Sequence, residues 1–394
     1  AQQWCDRCGC AGRPRGSRKR LLTHCPNGTR PVKLLVRLRQ FVCADCDAYW
    51  SEHVPVSLAP PGSKLTHRAI NWALVSVVLD ALSINAAAKN LDASWNTVNN
   101  AVLEAGYTHL ISDPTRFDGV KTIGVDEHCW RHVGWRSDRF VTVIIDLTPR
   151  TDGRPARLLD MIPGRSKQVL KKWLEARDVK FRLNVKTVAM DGFTGYKTAV
   201  REVLKSAATV LDPFHVVRLI GDKLTACRQR LQQELTGRRG RKGDLLYQAR
   251  RLLLTRNRLL EGRGASKVDQ IVGDSKYAHL TRIWGIYQAV ITAYENPNRR
   301  EARAKLQDII DALNTEATRG IPELRSLART LKRRRNDILT YFTRPYTSNG
   351  PTEAINGRLE HLRGIALGLR NLQHYIQRNL LHTGGFKHQI HSLL

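Results

Sequence analysis

The sequence has no apolar run long enough to cross a bilayer and no recognisable signal peptide. It also has few low-complexity segments, and hydrophobic residues make up 42% of its composition. These features argue against a membrane protein, an exported protein and a disordered protein. We therefore expect a cytoplasmic globular protein, and its 394 residues leave room for roughly two to four domains.

Acidic residues are scarce relative to basic ones. The chain has 35 Asp and Glu against 65 Lys and Arg, which gives a formal net charge of +30 spread along its whole length. Such a surplus favours a polyanionic partner, above all nucleic acid, because each phosphate contact releases condensed counterions. A basic protein without such a partner is the less favoured alternative, since so much like charge opposes compaction unless something neutralises it.

Cysteine is nearly absent from the chain after residue 46. Six of the eight cysteines precede that point, at Cys5, Cys8, Cys10, Cys25, Cys43 and Cys46. In a reducing cytoplasm this density indicates metal binding rather than disulfides.

Two CxxC pairs occur in this segment, Cys5 with Cys8 in "WCDRCGC" and Cys43 with Cys46 in "FVCADC". Four such thiolates close the tetrahedral coordination of a structural Zn²⁺ ion, so the spacing predicts one zinc site. The connection of about 34 residues is longer than the commonest spacing. It has room for a small hairpin, because "RPVKLLVRLRQFVC" alternates like a strand. Four further residues remain alternative ligands: Cys10, Cys25, His24 and His53.

Residues 83–106, "SINAAAKNLDASWNTVNNAVLEAG", follow a first helical segment and have the spacing of a helix-turn-helix. Ser83 and Ser94 can cap the two helices, and Gly106 is expected to stop the second one after Glu104. The second helix would enter the major groove, where Asn reads adenine edges. The expected DNA-reading residues are Trp95, Asn96, Asn99 and Asn100. An ordinary helical hairpin is the alternative, but the cysteine pairs and the positive charge favour DNA binding.

The pattern from residue 119 predicts a mixed α/β sheet. Three β-rich runs, "GVKTIGVDE", "RFVTVIIDLT" and "ARLLDMI", indicate a meander. Two helices, "SKQVLKKWLEAR" and "TGYKTAVREVLKSA", then alternate with the strands "NVKTVAMD" and "ATVLD". This is the order of the ribonuclease-H-like fold. Asp126 closes the first strand and Asp191 the fourth, on strands that this topology makes neighbours, and functional groups gather at such strand ends.

Residues 231–340 are helical, rich in arginine and without strand character, which predicts an all-α insertion. Its basic faces, including Arg238 and Arg239, could line a groove for DNA, or they could form a solvated surface held by intrahelical ion pairs. The predicted domains are a zinc module (1–56), a helix-turn-helix domain (57–112), a first core part (113–230), the insertion (231–340) and the C-terminal core helices (341–394).

Four motifs together carry a family resemblance: "GVDEHCW", "VAMDGFTGY", "LDPFHVVRL" and "SNGPTEAINGRLE". With the cysteine pairs and the helix-turn-helix, the chain resembles bacterial DDE transposases of the ISL-three insertion-sequence family over nearly its whole length. The resemblance implies a ribonuclease-H-like core with the acidic triad Asp126, Asp191 and Glu353. It also implies an auxiliary site at Asp212 and His215, although His215 could instead cap the helix that starts at Pro213. Cys10 and Cys25 lie outside the family pattern.

The chemistry of DNA cleavage agrees with three acids. Two Mg²⁺ or Mn²⁺ ions about 3.5–4 Å apart activate the nucleophile and stabilise the leaving oxygen, and hard oxygen ligands hold them. Asp126 is expected to bridge the ions, with Asp191 and Glu353 completing one each. Glu353 is preferred to Glu360 because it lies in the first helical turn, where the helix dipole favours an ionised carboxylate. Glu360 lies about 10 Å further along the axis.

The expected function is therefore DNA transposition. The protein would bind the terminal inverted repeats of an insertion sequence and its target DNA, as a homodimer assembled on DNA, and would cleave and transfer strands. The alternatives are a non-catalytic zinc and helix-turn-helix repressor with a domesticated core, and a ribonuclease-H-like nuclease without strand transfer.

Overall fold

The computed structural model of the chain describes residues 3–131, 139–148, 155–313, 320–344, 347, 350–365 and 371–391. The chain forms two compact units. The first comprises Ala1–Asp118, Arg157–Asp160 and Gly357–Leu394, and the second comprises Gly119–Ala156 and Met161–Asn356. In the described ranges, no helix has both the length and the apolar character needed to span a membrane.

The strands and helices follow in chain order. The strands are β1 Gly12–Asn27, β2 Arg30–Cys43, β3 Tyr49–Ser51, β4 Thr122–Cys129, β5 Phe140–Asp146, β6 Arg157–Pro163, β7 Thr187–Met190 and β8 Ala208–Leu211. The α-helices of the first half are α1 His67–Leu79, α2 Ile84–Leu91, α3 Trp95–Gly106, α4 Lys167–Glu175, α5 Val179–Asn184, α6 Thr194–Val203 and α7 Pro213–Thr236. Those of the second half are α8 Leu245–Gln248, α9 Gly262–Val272, α10 Ala278–Glu295, α11 Arg299–Ala312, α12 Pro322–Thr343, α13 Gly350–Ile365, α14 Leu372–Thr383 and α15 Lys387–Ile390.

A long antiparallel hairpin separates the two cysteine pairs in the first unit. Strand β1 pairs with β2, and the short β3 extends the sheet on the other edge of β2. Asn27 pairs with Arg30, so the turn has two residues, and Gly28 takes the positive φ of 60° that such a tight turn requires. The predicted hairpin is thus present, and it is longer than the sequence pattern indicated.

Helices α1, α2 and α3 follow the hairpin, and the serine caps are confirmed. The side chains of Ser83 and Ser94 each accept a backbone N–H from the third residue of the helix that follows. The prediction that Gly106 stops the helix is wrong, because α3 runs through it into a π-helix. A Cβ on Gly106 would lie 2.7 Å from a methyl carbon of Leu381. Glycine at this position therefore allows α14 to approach α3 closely, and it does not terminate the helix.

The second unit is built on a five-stranded mixed sheet, so the predicted mixed α/β architecture is confirmed. Its strand order is β6-β5-β4-β7-β8. Strand β4 pairs antiparallel with β5 and parallel with β7, and β7 pairs parallel with β8. Most residues of β4, β5 and β7 are buried, as expected for apolar strands covered on both faces.

One glycine in the central strand positions a helix that the site requires. A Cβ on Gly124 in β4 would lie 2.9 Å from a methyl carbon of Leu147 and 3.0 Å from the hydroxyl oxygen of Thr352. Thr352 is fully buried near the start of α13. The absence of a side chain at Gly124 therefore allows the first turn of α13 to pack against β4.

Helices outside the mixed sheet enclose an apolar core of the second unit, which we call the helical core. In the described residues between 231 and 340, helices occur and strands do not. Side chains from α7, α10, α11 and α12 form this core, among them Ile220, Leu224, Ile283, Val290, Leu306 and Leu327. Helix α7 is continuous from Pro213 to Thr236. A single helix therefore joins the end of β8 to the helical core.

Candidate active site and cysteine cluster

The four predicted zinc ligands meet at one point of the first unit. The sulfurs of Cys5, Cys8, Cys43 and Cys46 all lie within 4.8 Å of one another. The sulfur of Cys5 is 3.5 Å from that of Cys46, and the sulfur of Cys8 is 3.3 Å from that of Cys43. This donor set fits a tetrahedral zinc ion, because four thiolates so close together repel unless a cation neutralises them.

Backbone amides support this arrangement. The N–H groups of Cys46 and Asp45 lower the pKa of Cys43 to about 7, against desolvation, which raises it. For Cys46 the N–H of Ala48 lowers the pKa, but burial and the neighbouring thiols of the cluster outweigh it and raise the pKa to about 12. The knuckle at Cys43 and Cys46 thus turns amides toward sulfur, as metal-binding knuckles do.

The alternative ligands contribute less. The thiol of Cys10 lies 3.2 Å from a carboxylate oxygen of Asp45, in a separate group with Cys8. Cys25, His24 and His53 join no metal-competent group in the part of the chain that the structure describes. The ring of His24 instead contacts the hydroxyl of Thr66 at 2.9 Å.

Asp126 and Asp191 lie side by side where the parallel pairing of the inner strands β4 and β7 ends. Val125 of β4 pairs with Met190, the last residue of β7, so both aspartates immediately follow the last parallel pair. The prediction that Asp126 closes its strand is wrong, because β4 continues to Cys129. It continues because β5 still pairs with it after β7 has ended.

The third acid comes from a distant part of the sequence. Glu353 lies in the first turn of α13, as expected, although the preceding Ser348 and Asn349 lie outside the described residues. Asp126, Asp191 and Glu353 line a cleft of about 510 Å³ in the second unit. The remaining lining residues are Glu127, Gly192, Leu211, Phe214, His215, Arg218, Leu219, Asp222, Thr330, Arg333 and Arg334.

The spacing of the three acids differs from that of the cysteines. Among the described residues, their carboxylate oxygens do not form a group whose members all lie within 4.8 Å of one another. They line one cleft without closing around one point. Such spacing does not suit a cage for a single ion.

Burial dominates the electrostatics of the two aspartates. Desolvation raises the pKa of Asp126 to about 6, with a further increase from Asp191. The N–H of Glu127, the charge of His215 and the amide of Asn356 act in the opposite direction. Desolvation likewise raises the pKa of Asp191, against the N–H of Phe193. In the part of the chain that the structure describes, neither aspartate forms an ion pair, so two half-buried carboxylates lie beside each other at a free-energy cost.

The auxiliary site that the resemblance implies, Asp212 and His215, lies at the start of α7. Asp212 is buried, and it caps the helix by accepting the N–H of Phe214 at 3.1 Å. The cap is therefore Asp212, and the alternative that His215 caps this helix is wrong. His215 lies in the first turn of α7 and faces the cleft, with its ring against that of Phe214 at 5.6 Å.

A buried ionic network that the sequence pattern did not predict supports the Asp191 turn, residues 191–193, in which the N–H of Phe193 donates to Asp191. Arg334 of α12 donates to the carbonyl oxygen of Gly192 at 2.7 Å and to Asp337 at 3.3 Å. Asp337 also accepts from Lys197 at 2.5 Å and from Thr209 at 2.7 Å. Only the spacing of Arg334 and Asp337 on one helical face could have indicated their pairing, since their other partners are remote in sequence.

The predicted DNA-reading residues do not share one face. Trp95, Asn96 and Asn100 of α3 are exposed. Asn99, which was predicted to read DNA from the surface of this helix, is instead fully buried, and its amide lies 3.5 Å from the ring of His374. Position 99 shares the inner face with Val102 and Leu103, which pack into the apolar core of the first unit, and helical periodicity therefore buries it as well.

The two predicted insertion arginines differ. Arg238 forms an ion pair with Asp244 at 2.7 Å and is half-buried, whereas Arg239 is exposed. Glu360 also has an ion-pair partner, since Arg363 donates to it at 3.0 Å.

Comparisons with known proteins identify one family that matches the chain. A family model described as "Transposase", of the ISL-three type, matches residues 123–379. No curated protein matches the chain. Among solved structures, the chain is similar to the "Drosophila P element transposase strand transfer complex", with 9% sequence identity and a TM-score of 0.40. That similarity covers 82% of this chain and 92% of the other.

Proposed function

Because the chain belongs to the ISL-three transposase family, we propose that it cuts and joins DNA strands with Asp126, Asp191 and Glu353 as its acidic triad. One observation carries this proposal. The three carboxylates come from three elements far apart in the sequence and line a single cleft of the second unit. Its strand order, with β5 antiparallel to β4 on one side and β7 and β8 parallel to β4 on the other, supports a ribonuclease-H-like core.

The donor chemistry of this cleft fits two Mg²⁺ or Mn²⁺ ions. Carboxylate oxygens are the ligands that these hard ions prefer. The two aspartates are half-buried at a free-energy cost that a cation would offset, as their raised pKa values indicate. When bound, the ions would supply an activated nucleophile and neutralise charge at phosphorus. Asp126, Asp191 and Glu353 would hold them.

The other residues of the cleft would bind and orient DNA. Arg218 and Arg333 line it from α7 and α12 and carry the positive charge that a phosphate backbone requires. His215 lies near enough to both aspartates to lower their pKa values, so it can orient an acid or contact a phosphate. None of these three is a carboxylate, which suits a positioning role.

The first unit would supply DNA recognition. The cysteine cluster would hold structural zinc, and α2 with α3 would act as a helix-turn-helix that reads the terminal inverted repeats. Trp95, Asn96 and Asn100 remain the proposed reading residues, because they are exposed on α3. Arg239 would contact phosphates without sequence preference. Assembly as a homodimer on DNA stays a prediction.

The test is a Mg²⁺-dependent cleavage and strand-transfer assay on the inverted-repeat ends of the protein's own element. Glu353→Gln should abolish cleavage and leave DNA binding and folding intact, since the carboxamide lacks the charge that holds a cation. Glu360→Gln is the matched control and should cost far less, because its partner is an arginine.

Three results would contradict the proposal in different ways. Equal activity of wild type and Glu353→Gln would remove Glu353 from the triad. DNA binding without cleavage by the wild type would favour the repressor alternative. Cleavage without joined products would favour a nuclease.

A further inference from the structure

A second contact joins the helix of Glu353 to the central strand. Asn356 lies one turn after Glu353 on α13, and its side-chain amide donates to the Oδ2 atom of Asp126 at 2.9 Å. The other oxygen of that carboxylate accepts the N–H of Glu127 at 2.8 Å. Both oxygens of Asp126 are thus held by donors from the protein.

The contact belongs to a two-point attachment of α13. Gly124 and Asp126 lie on the same face of β4, two residues apart. Thr352 and Asn356 lie on the same face of α13, four residues apart. The close approach at Gly124 and Thr352 and the hydrogen bond between Asp126 and Asn356 therefore set the position of α13 along the strand.

The oxygen of the Asn356 side-chain amide indicates that a further group binds here. Its Oδ1 atom is buried and has no hydrogen-bond partner in the described structure. Exchanging the two atoms of the amide would not help, because an ionised carboxylate only accepts hydrogen bonds, so Nδ2 must face Asp126. A buried acceptor without a donor is costly, which indicates that an electropositive group belongs there.

We propose that Asn356 is a positioning residue of the acidic site, whose N–H orients Asp126 and whose Oδ1 accepts a divalent cation or a water molecule in its shell. This inference rests on the proposed function. Both atoms belong to one amide, so Oδ1 lies beside the same carboxylate that would hold a cation. An amide oxygen is a neutral hard ligand, so it adds to the donor set without adding repulsion among the acids.

Direct Mn²⁺ binding to the full chain, measured by the electron paramagnetic resonance of free Mn²⁺ without DNA, tests this role apart from activity. Asn356→Ala should weaken binding about 10- to 100-fold, the range for partners that orient metal ligands. Asn356→Asp keeps an oxygen at this position but loses the N–H toward Asp126, so it should recover part of that loss. The thiolate site does not compete, because soft ligands disfavour Mn²⁺.

Three further variants make the outcomes decisive. Asn184→Ala is the matched control, since that amide donates to the carbonyl of Val120 at 3.0 Å, and its Mn²⁺ affinity should stay at the wild-type level. If Asn356→Ala melts early in the presence of chelator, Asn356→Leu, which has a similar volume and no polar atoms, takes its place. Asp126→Asn is the reference for loss of the site.

The possible failures can be told apart. Unchanged Mn²⁺ affinity in Asn356→Ala, together with a loss in Asp126→Asn, would overturn the role of Asn356 alone. Unchanged affinity in Asp126→Asn as well would overturn the proposed acidic site. An Asn356→Asp variant that binds as weakly as Asn356→Ala would overturn the role of Oδ1.

Discussion

The buried ionic network that supports the Asp191 turn should contribute strongly to the stability of the second unit. Asp337 is 4% exposed and accepts hydrogen bonds from Lys197, Arg334 and Thr209. The change Asp337→Asn keeps the size of the side chain and removes its charge. Lys197 and Arg334 then lose their shared counter-charge while they remain largely buried, with side chains 12% and 4% exposed.

The expected magnitude follows from that burial. Breaking a buried ion pair on one side costs about 3–5 kcal/mol, because the remaining charge is uncompensated. For a unit of about 150–250 residues, each kcal/mol lowers the melting temperature by about 2–4 °C. The second unit of Asp337→Asn should therefore melt about 6–20 °C earlier than that of the wild type.

Calorimetry of the full chain measures this difference, because it can separate the melting of the two units. Asp311→Asn is the matched control on a neighbouring helix. Its partner Arg335 lies 3.2 Å away, and both side chains are at least 36% exposed, so we expect a cost below about 1 kcal/mol. Equal melting temperatures for Asp337→Asn and Asp311→Asn would refute the reasoning from burial.

The same network should affect catalysis, because Arg334 also holds the carbonyl oxygen of Gly192 beside Asp191. Below its melting temperature, Asp337→Asn should cleave DNA more slowly than Asp311→Asn at equal DNA occupancy. Equal rates would show that the turn after Asp191 keeps its position without the network.

Four further predictions follow from individual sites. Metal analysis of protein purified without chelator should find one zinc per chain, and Cys8→Ser should lose it while the acidic cleft still binds Mn²⁺. Asn99→Ala should lower the melting temperature rather than DNA discrimination, whereas Asn96→Ala should reduce the preference for terminal repeats over random DNA in a binding assay. His215→Ala should slow cleavage and leave Mn²⁺ affinity largely unchanged; an unchanged rate would exclude an auxiliary role. In the metal-free protein, the raised pKa of Asp126 gives the folded state a stability that is fully present below about pH 4 and is lost as pH rises through about 6. The free energy of unfolding of the wild type, relative to that of Asp126→Asn, should therefore fall across that window.

Local patterns predicted the elements that depend on local forces. The caps at Ser83 and Ser94 were predictable because a cap bonds only to its own first turn. Alternating and continuous apolar runs likewise predicted β2 and the strands of the mixed sheet. Helix α5 was not predicted, because its sequence "VKFRLN" has only 6 residues, which is too short to show a helical periodicity.

The errors arose where another element covers a residue. Asn99 was expected at a DNA surface, yet α14 lies close to α3 and buries it. Gly106 was interpreted as a helix stop, yet it makes room for Leu381. In both cases the covering residues follow more than 270 positions later, at His374 and Leu381, where a local pattern carries no information about them.

The sequence by itself determined the chemistry that this protein has available. It shows two thiolate pairs, a large positive charge and a few acids in recognisable motifs, because these features depend only on residue type and spacing. Tertiary structure alone decided which of these groups meet. The amide of Asn356 reaches Asp126 across 230 residues, and the unpartnered oxygen beside it becomes visible only once the helix and the strand are packed together. Periodicity sets which side chains share a face, whereas long-range packing sets what that face contacts.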